Sequence, residues 1–95
     1  MVVSVLRILI ELPGVHSLKE KRSIVSSLKD KLIRRFKISF AEVDLHDSLG
    51  FAEMGGAVVS NSSAFGEGVL QKVLAFVEAE VPGRVYDVWI HSEQY

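Results

Sequence analysis

The sequence predicts an α+β fold in the order strand, helix, strand, strand, helix, strand, and three observations carry that prediction. Two segments place apolar residues at helical spacing behind serine caps, four others are rich in β-branched residues, and turn chemistry separates each element from the next. With 95 residues, of which 48% are hydrophobic and 24% charged, the chain has the make-up of one globular domain, residues 1–95, around one core.

Val2 to Leu12 reads as a first, central strand, with Leu6, Ile8, Ile10 and Leu12 on one face and Val5, Arg7, Leu9 and Glu11 on the other. Pro13-Gly14 ends it. Ser17-Leu18-Lys19-Glu20 matches the capping box, in which the serine hydroxyl accepts from a backbone N–H and the glutamate reaches back to the serine's own N–H. The helix that starts there buries Leu18, Val25, Leu28, Leu32 and Phe36, with Ile24 widening the stripe, and Lys37 marks its end. Ile38 to Leu45 sets Ile38, Phe40, Glu42 and Asp44 against Ser39, Ala41, Val43 and Leu45, the pattern of a half-buried strand. His46 to Gly50 supplies a turn.

Phe51 to Asn61 is the third strand, in which Gly55-Gly56 implies a bulge or the close approach of a neighbouring backbone. Ser62-Ser63 caps a second helix that keeps Phe65, Val69, Leu70, Val73, Val77 and Val81 in register, and Pro82-Gly83 stops it. Val85 to Ser92 forms the last strand. A hairpin between strands two and three, with helices between the others, suits a four-stranded antiparallel sheet that carries both helices on one face. Right-handed crossovers then give the order 4-1-3-2, the ferredoxin-like βαββαβ sandwich.

Several function classes are excluded or left without support. There is no cysteine, hence no disulfide, thiolate metal site or cysteine nucleophile. Arg7 and Glu11 interrupt the N-terminal segment where an export signal would be apolar, and no run reaches the ~20 apolar residues that span a bilayer. The expectation is a cytoplasmic protein with no membrane partner. No GxSxG, Walker-type glycine loop or HExxH occurs, so no catalytic residue, cofactor or metal is predicted. Asp44-x-His46-Asp47 offers three potential metal ligands in one turn, without a second cluster to complete a site.

Charge is unevenly distributed. From Lys19 to Lys37 eight basic residues stand against Glu20 and Asp30, a net of +6, which leaves −7 for the rest of a chain whose total is −1. Lys29, Lys31, Arg34, Arg35 and Lys37 are therefore the candidate nucleic-acid-binding residues, against the alternative of a merely solvated helix face. A second candidate lies where the first loop, the turn between strands two and three and the loop before the last strand meet at one end of the sheet. There His16, Lys19, Lys21, Arg22 and Arg84 face the acidic Glu42, Asp44 and Asp47. A helical wheel puts Lys21 inside the apolar stripe, pointing at the end of the sheet. Two readings stay open: a structural ion-pair network, or an anion- or partner-binding site at a helix N-terminus.

The uncovered sheet face is expected to carry Val5, Arg7, Leu9, Glu11, Phe40, Glu42, Asp44, Glu53, Asp87, Trp89 and His91. Five carboxylates against one arginine would repel a phosphate backbone, and no aromatics stand at the positions where RNA-recognition motifs stack bases. Val5, Leu9, Phe40 and Trp89 instead predict a protein interface, with a homodimer as the simplest form.

Ser17-Leu18-Lys19-Glu20-Lys21-Arg22-Ser23-Ile24-Val25, followed by Phe36, Ala41-Glu42-Val43-Asp44, Asp47 and Ala57-Val58-Val59-Ser60-Asn61, resembles the YlxP-like family of small bacterial proteins, domain of unknown function 503. The resemblance covers nearly the whole chain and implies the same ferredoxin-like fold in a cytoplasmic protein. Because its members are often encoded among translation and ribosome-maturation genes, it also implies an RNA or ribosome connection. Ser48-Leu49-Gly50-Phe51 departs from a turn that is more polar in the usual pattern. Acylphosphatases share the topology and bind phosphate in the first loop, but Pro13-Gly14-Val15-His16 is only faintly similar to such a loop and lacks its arginine. Asn61 falls at the opposite end of the sheet. The expected function is thus a non-enzymatic RNA- or ribosome-associated binding protein. The alternatives are an ACT-like regulatory or protein-interaction module for an anionic metabolite and a small acyl or phosphoryl hydrolase.

Overall fold

The computed structural model describes residues 1–95. Its elements are β1 (Val2–Glu11), α1 (Leu18–Phe36), β2 (Ser39–Asp44), β3 (Phe51–Ser60), α2 (Ser63–Glu80) and β4 (Arg84–Gln94). The strands form one antiparallel sheet in the order β2-β3-β1-β4, which is the expected 4-1-3-2 read from the other edge.

The alternation of β1 decides which side the helices cover. Leu6, Ile8 and Ile10 are almost wholly buried and join Leu28 and Leu32 of α1 and Leu70, Val73 and Val77 of α2 in a single core of 15 residues. Val5, Arg7, Leu9 and Glu11 keep part of their surface on the other side. At α1 the Ser17 hydroxyl accepts from the Glu20 N–H at 3.1 Å, but the Glu20 carboxylate does not return the bond, so half of the capping box forms. Lys37 closes the helix in the left-handed region (φ 54), with its N–H donating to the Ile33 carbonyl at 2.9 Å. Ser62 caps α2 by accepting from the Phe65 N–H at 3.3 Å.

Three expectations are corrected. Phe40 does not belong to the open face: it opposes Gly56, which opposes Leu6, and it is 5% exposed within the core. Glu42 shares that side, opposite Met54 and in the row of Ile8. The alternation of β2 identifies two sets of side chains without saying which is inward, and Glu42 turns inward to meet Lys21. A bulge between Glu42 and Asp44 then returns Asp44 to the open side, opposite Glu53.

The bulges thus lie at Glu42/Asp44 and, between β1 and β4, at Leu9/Ile10, and not at the glycine pair. Close approach does occur at Gly56, but of a side chain and not of a backbone: a Cβ there would sit 2.7 Å from the Phe40 ring, with the nearest backbone atom, the Ser39 carbonyl oxygen, at 3.5 Å. Phe65, expected in the stripe of α2, is 63% exposed. The inward position is taken by Gly66, which is packed so closely on the Ser4 side chain that no Cβ fits.

Candidate functional site

Three segments do meet at the end of the sheet where β1 finishes. The Leu12 N–H donates to the Gly50 carbonyl at 2.8 Å, and Arg84 Nε lies 2.6 Å from Glu11 Oε1. Lys21 is the centre of this end. It is 1% exposed, donates from Nζ to the Leu45 carbonyl at 2.6 Å, and lies 3.2 Å from Glu42 Oε2. That oxygen is itself buried and makes no hydrogen bond of good geometry, so charge rather than a directed bond holds the pair. Leu45 sits in the left-handed region (φ 61), where a residue with a Cβ costs about 1–2 kcal/mol. The Asp44 carboxylate steadies it by accepting the Leu45 N–H at 2.7 Å, and the ammonium holds its carbonyl.

The other residues assigned to this end do not converge on Lys21. His16, Lys19, Arg22, His46 and Asp47 are all exposed, and none makes an ion pair. Asp44, His46 and Asp47 do not come together as a metal-holding group. Of the three carboxylates proposed as partners for Lys21, the structure selects Glu42.

The basic residues of α1 do not form one patch. They are split by the helix. Lys29 flanks β2, where with Arg22 it lines a groove of about 310 Å³ against Ala41 and Glu42. Lys31, Arg34 and Arg35 lie on the side toward α2 and, with Phe76, line an open depression of about 370 Å³. Arg35 holds its guanidinium 5.0 Å from the centre of the Phe76 ring and 5.7 Å from that of Phe36, and the two rings meet edge to face at 5.8 Å. Lys31 approaches Glu80 at 3.9 Å with both side chains about half exposed, whereas Arg34, Arg35 and Lys37 have no carboxylate within ion-pair reach.

Phe76 and Glu80 belong to this surface, and sequence reasoning missed both. The available signal was weak: Phe76 is an aromatic just off the apolar stripe of α2, and Glu80 is an acid in its last turn. Nothing in either segment alone says that α1 lies beside it. Just beyond β4, Tyr95 donates from its hydroxyl to Glu93 at 3.1 Å, and that bond, with the repulsion of the carboxylate, raises the phenol's pKa above its ordinary 10.0.

Residues 3–90 match the family model described as "Protein of unknown function (DUF503)". The chain belongs to this family. It is 35% identical over 63 residues to the uncharacterized protein YlxP of Bacillus subtilis (strain 168), a match that spans 66% of this chain and 68% of that protein. Among solved structures it superposes on an acylphosphatase from Bacillus subtilis with a TM-score of 0.57 at 14% identity, covering 100% of this chain and 88% of that one. A de novo designed protein with ferredoxin fold, LFR1 1, gives a TM-score of 0.58 at 14% identity, covering 98% of this chain and 83% of the designed one. Such identities carry the fold alone, and a designed scaffold matching as well as an enzyme illustrates why topology does not transfer chemistry. No helix is long and apolar enough to cross a membrane.

Proposed function

We propose that this DUF503 protein is a non-enzymatic binding protein that holds RNA on the flank of α1 that faces α2. One observation carries the reading: Lys31, Arg34, Arg35 and Phe76 line a single open depression, so three cations and an aromatic ring share one surface. Proteins that hold single-stranded nucleic acid combine a positive groove along the backbone with an aromatic surface for the bases. Arg34 and Arg35 have no carboxylate partner to displace before phosphate can approach. The loop end is a weaker candidate because Lys21 and Arg84, its best-placed cations, already hold Glu42 and Glu11. Ribosomal RNA as the source rests on the family resemblance alone.

Contacts of this kind release counterions, so affinity should fall steeply with salt and discriminate little between sequences. In a titration with a single-stranded RNA at graded salt, Arg34→Ala with Arg35→Ala should reduce the salt slope by about one to two units and leave the circular dichroism spectrum unchanged. Absence of binding by the wild type at low salt, or equal slopes for the two proteins, would remove the reading.

A further inference from the structure

The uncovered face of the sheet has a relief that repeats along one row. Trp89, Arg7, Gly55 and Ala41 are register partners across β4, β1, β3 and β2. At the β4 end the row is high: Trp89 is 47% exposed, stacked on His91 with ring centres 5.5 Å apart, and Arg7 lies 5.4 Å from the indole. At the β2 end it is low. Gly55 has no side chain, Ala41 has one carbon, and a shallow apolar hollow of about 270 Å³ opens there, with Val5, Val43 and Ala57 on its walls.

We propose that a second copy of this chain covers the face, related by a twofold axis that lies between the sheets and runs parallel to the strands. Such an axis keeps each row at its own height and exchanges the two edges of the sheet. The Trp89 ridge of each copy then enters the Ala41–Gly55 hollow of the other, and the contact occurs twice, as an isologous interface requires.

Charge selects the same axis. Arg7 has no carboxylate partner and Glu53 no cationic one, and Glu53 stands one row from Gly55 on β3, opposite Leu9. The axis sets Arg7 of one copy over the Gly55 row of the other, within a side chain's reach of that copy's Glu53. A twofold axis laid across the strands through this row would set Arg7 against Arg7. Area is sufficient. Three strands of 10, 10 and 11 residues and the six-residue β2, at ~3.4 Å per residue and ~4.8 Å apart, cover about 600 Å² per copy, about 1,200 Å² in all, which is the lower end of the range of specific interfaces. This face is opposite the helices, so the inference does not rest on RNA binding.

Sedimentation of the full chain tests it with two single variants and their mixture. The wild type should be dimeric at tens of micromolar, roughly the affinity of a small interface of this size. Trp89→Ala, which removes the ridge, and Ala41→Trp, which fills the hollow, should each weaken the dimer by at least about tenfold. Both positions are exposed, so unchanged circular dichroism is expected for each. Mixing the two variants should yield a heterodimer stronger than either homodimer. In one of its two contacts a native Trp89 meets a native Ala41, and in the other the added indole at position 41 faces the vacated position 89. A wild type that stays monomeric at about 100 µM would overturn the proposal. So would a dimer whose affinity neither variant changes, since that result would assign association to another surface such as the β4 edge.

Discussion

Lys21 and Lys31 lie on the same helix, yet their surroundings separate them completely. Lys21 is 1% exposed and held at 2.6 Å by a turn carbonyl and at 3.2 Å by Glu42, while the Lys31 side chain is 51% exposed and its nearest carboxylate, Glu80, is 3.9 Å away. The first lysine fastens α1 to the turn between β2 and β3. The second leaves its charge available to a ligand. A run of basic residues in a sequence therefore does not define one electrostatic feature, because the helical period deals its members to different neighbours. Position 21 falls beside Val25 and Leu28 on the buried stripe, whereas positions 31, 34 and 35 fall toward α2 and solvent.

The largest effect should come from removing the counter-charge of the buried lysine. Glu42→Gln leaves an ammonium at 1% exposure with neutral oxygens around it and no counter-charge, and breaking a buried pair in this way costs about 3 kcal/mol. Urea denaturation would measure it, and a loss below about 1 kcal/mol would place the pair with ordinary surface ion pairs. Lys21→Met should cost less, about 1–2 kcal/mol, because it removes the buried charge itself and leaves Glu42, which is 16% exposed, able to reach water. The two substitutions together should be less damaging than Glu42→Gln alone. A double variant as unstable as the sum of the singles would mean that Lys21 and Glu42 act independently, and the comparison with Lys31 would lose its basis.

The inward position of Lys21 was legible because it depends only on helical spacing and one strong stripe. Strand order and both caps were legible for the same reason: Ser17, Ser62, Pro13-Gly14 and Pro82-Gly83 act within a few residues of themselves. The face of β2 was not, because a bulge resets its alternation and the residues around it, Glu42 and Asp44, have the same chemistry on opposite sides. Gly66 could not be read as an inward residue either. Its role depends on Ser4, buried at 0% exposure in another element, and no pattern internal to α2 reports that. Phe76 is invisible in the same sense, since it joins the basic surface only when α2 is laid beside α1.

The smallest expected effect concerns the exposed member of the comparison. A double-mutant cycle on Lys31→Ala and Glu80→Ala should give a coupling of no more than about 0.5 kcal/mol at low salt and nothing measurable at high salt, because two half-exposed side chains gain little from pairing in water. A coupling comparable to that of Lys21 with Glu42 would erase the distinction between the two lysines. A weak coupling has a consequence for binding. Glu80 is then mainly a negative charge beside the Lys31–Arg34–Arg35 depression, which opposes the approach of phosphate without contributing to the fold. Glu80→Gln should accordingly tighten RNA binding about two- to fivefold at low salt, with the gain shrinking as salt rises, while stability changes by less than about 0.5 kcal/mol. Unchanged affinity in the same titration would mean that RNA does not approach this flank of α1, whatever the Arg34 and Arg35 variants show.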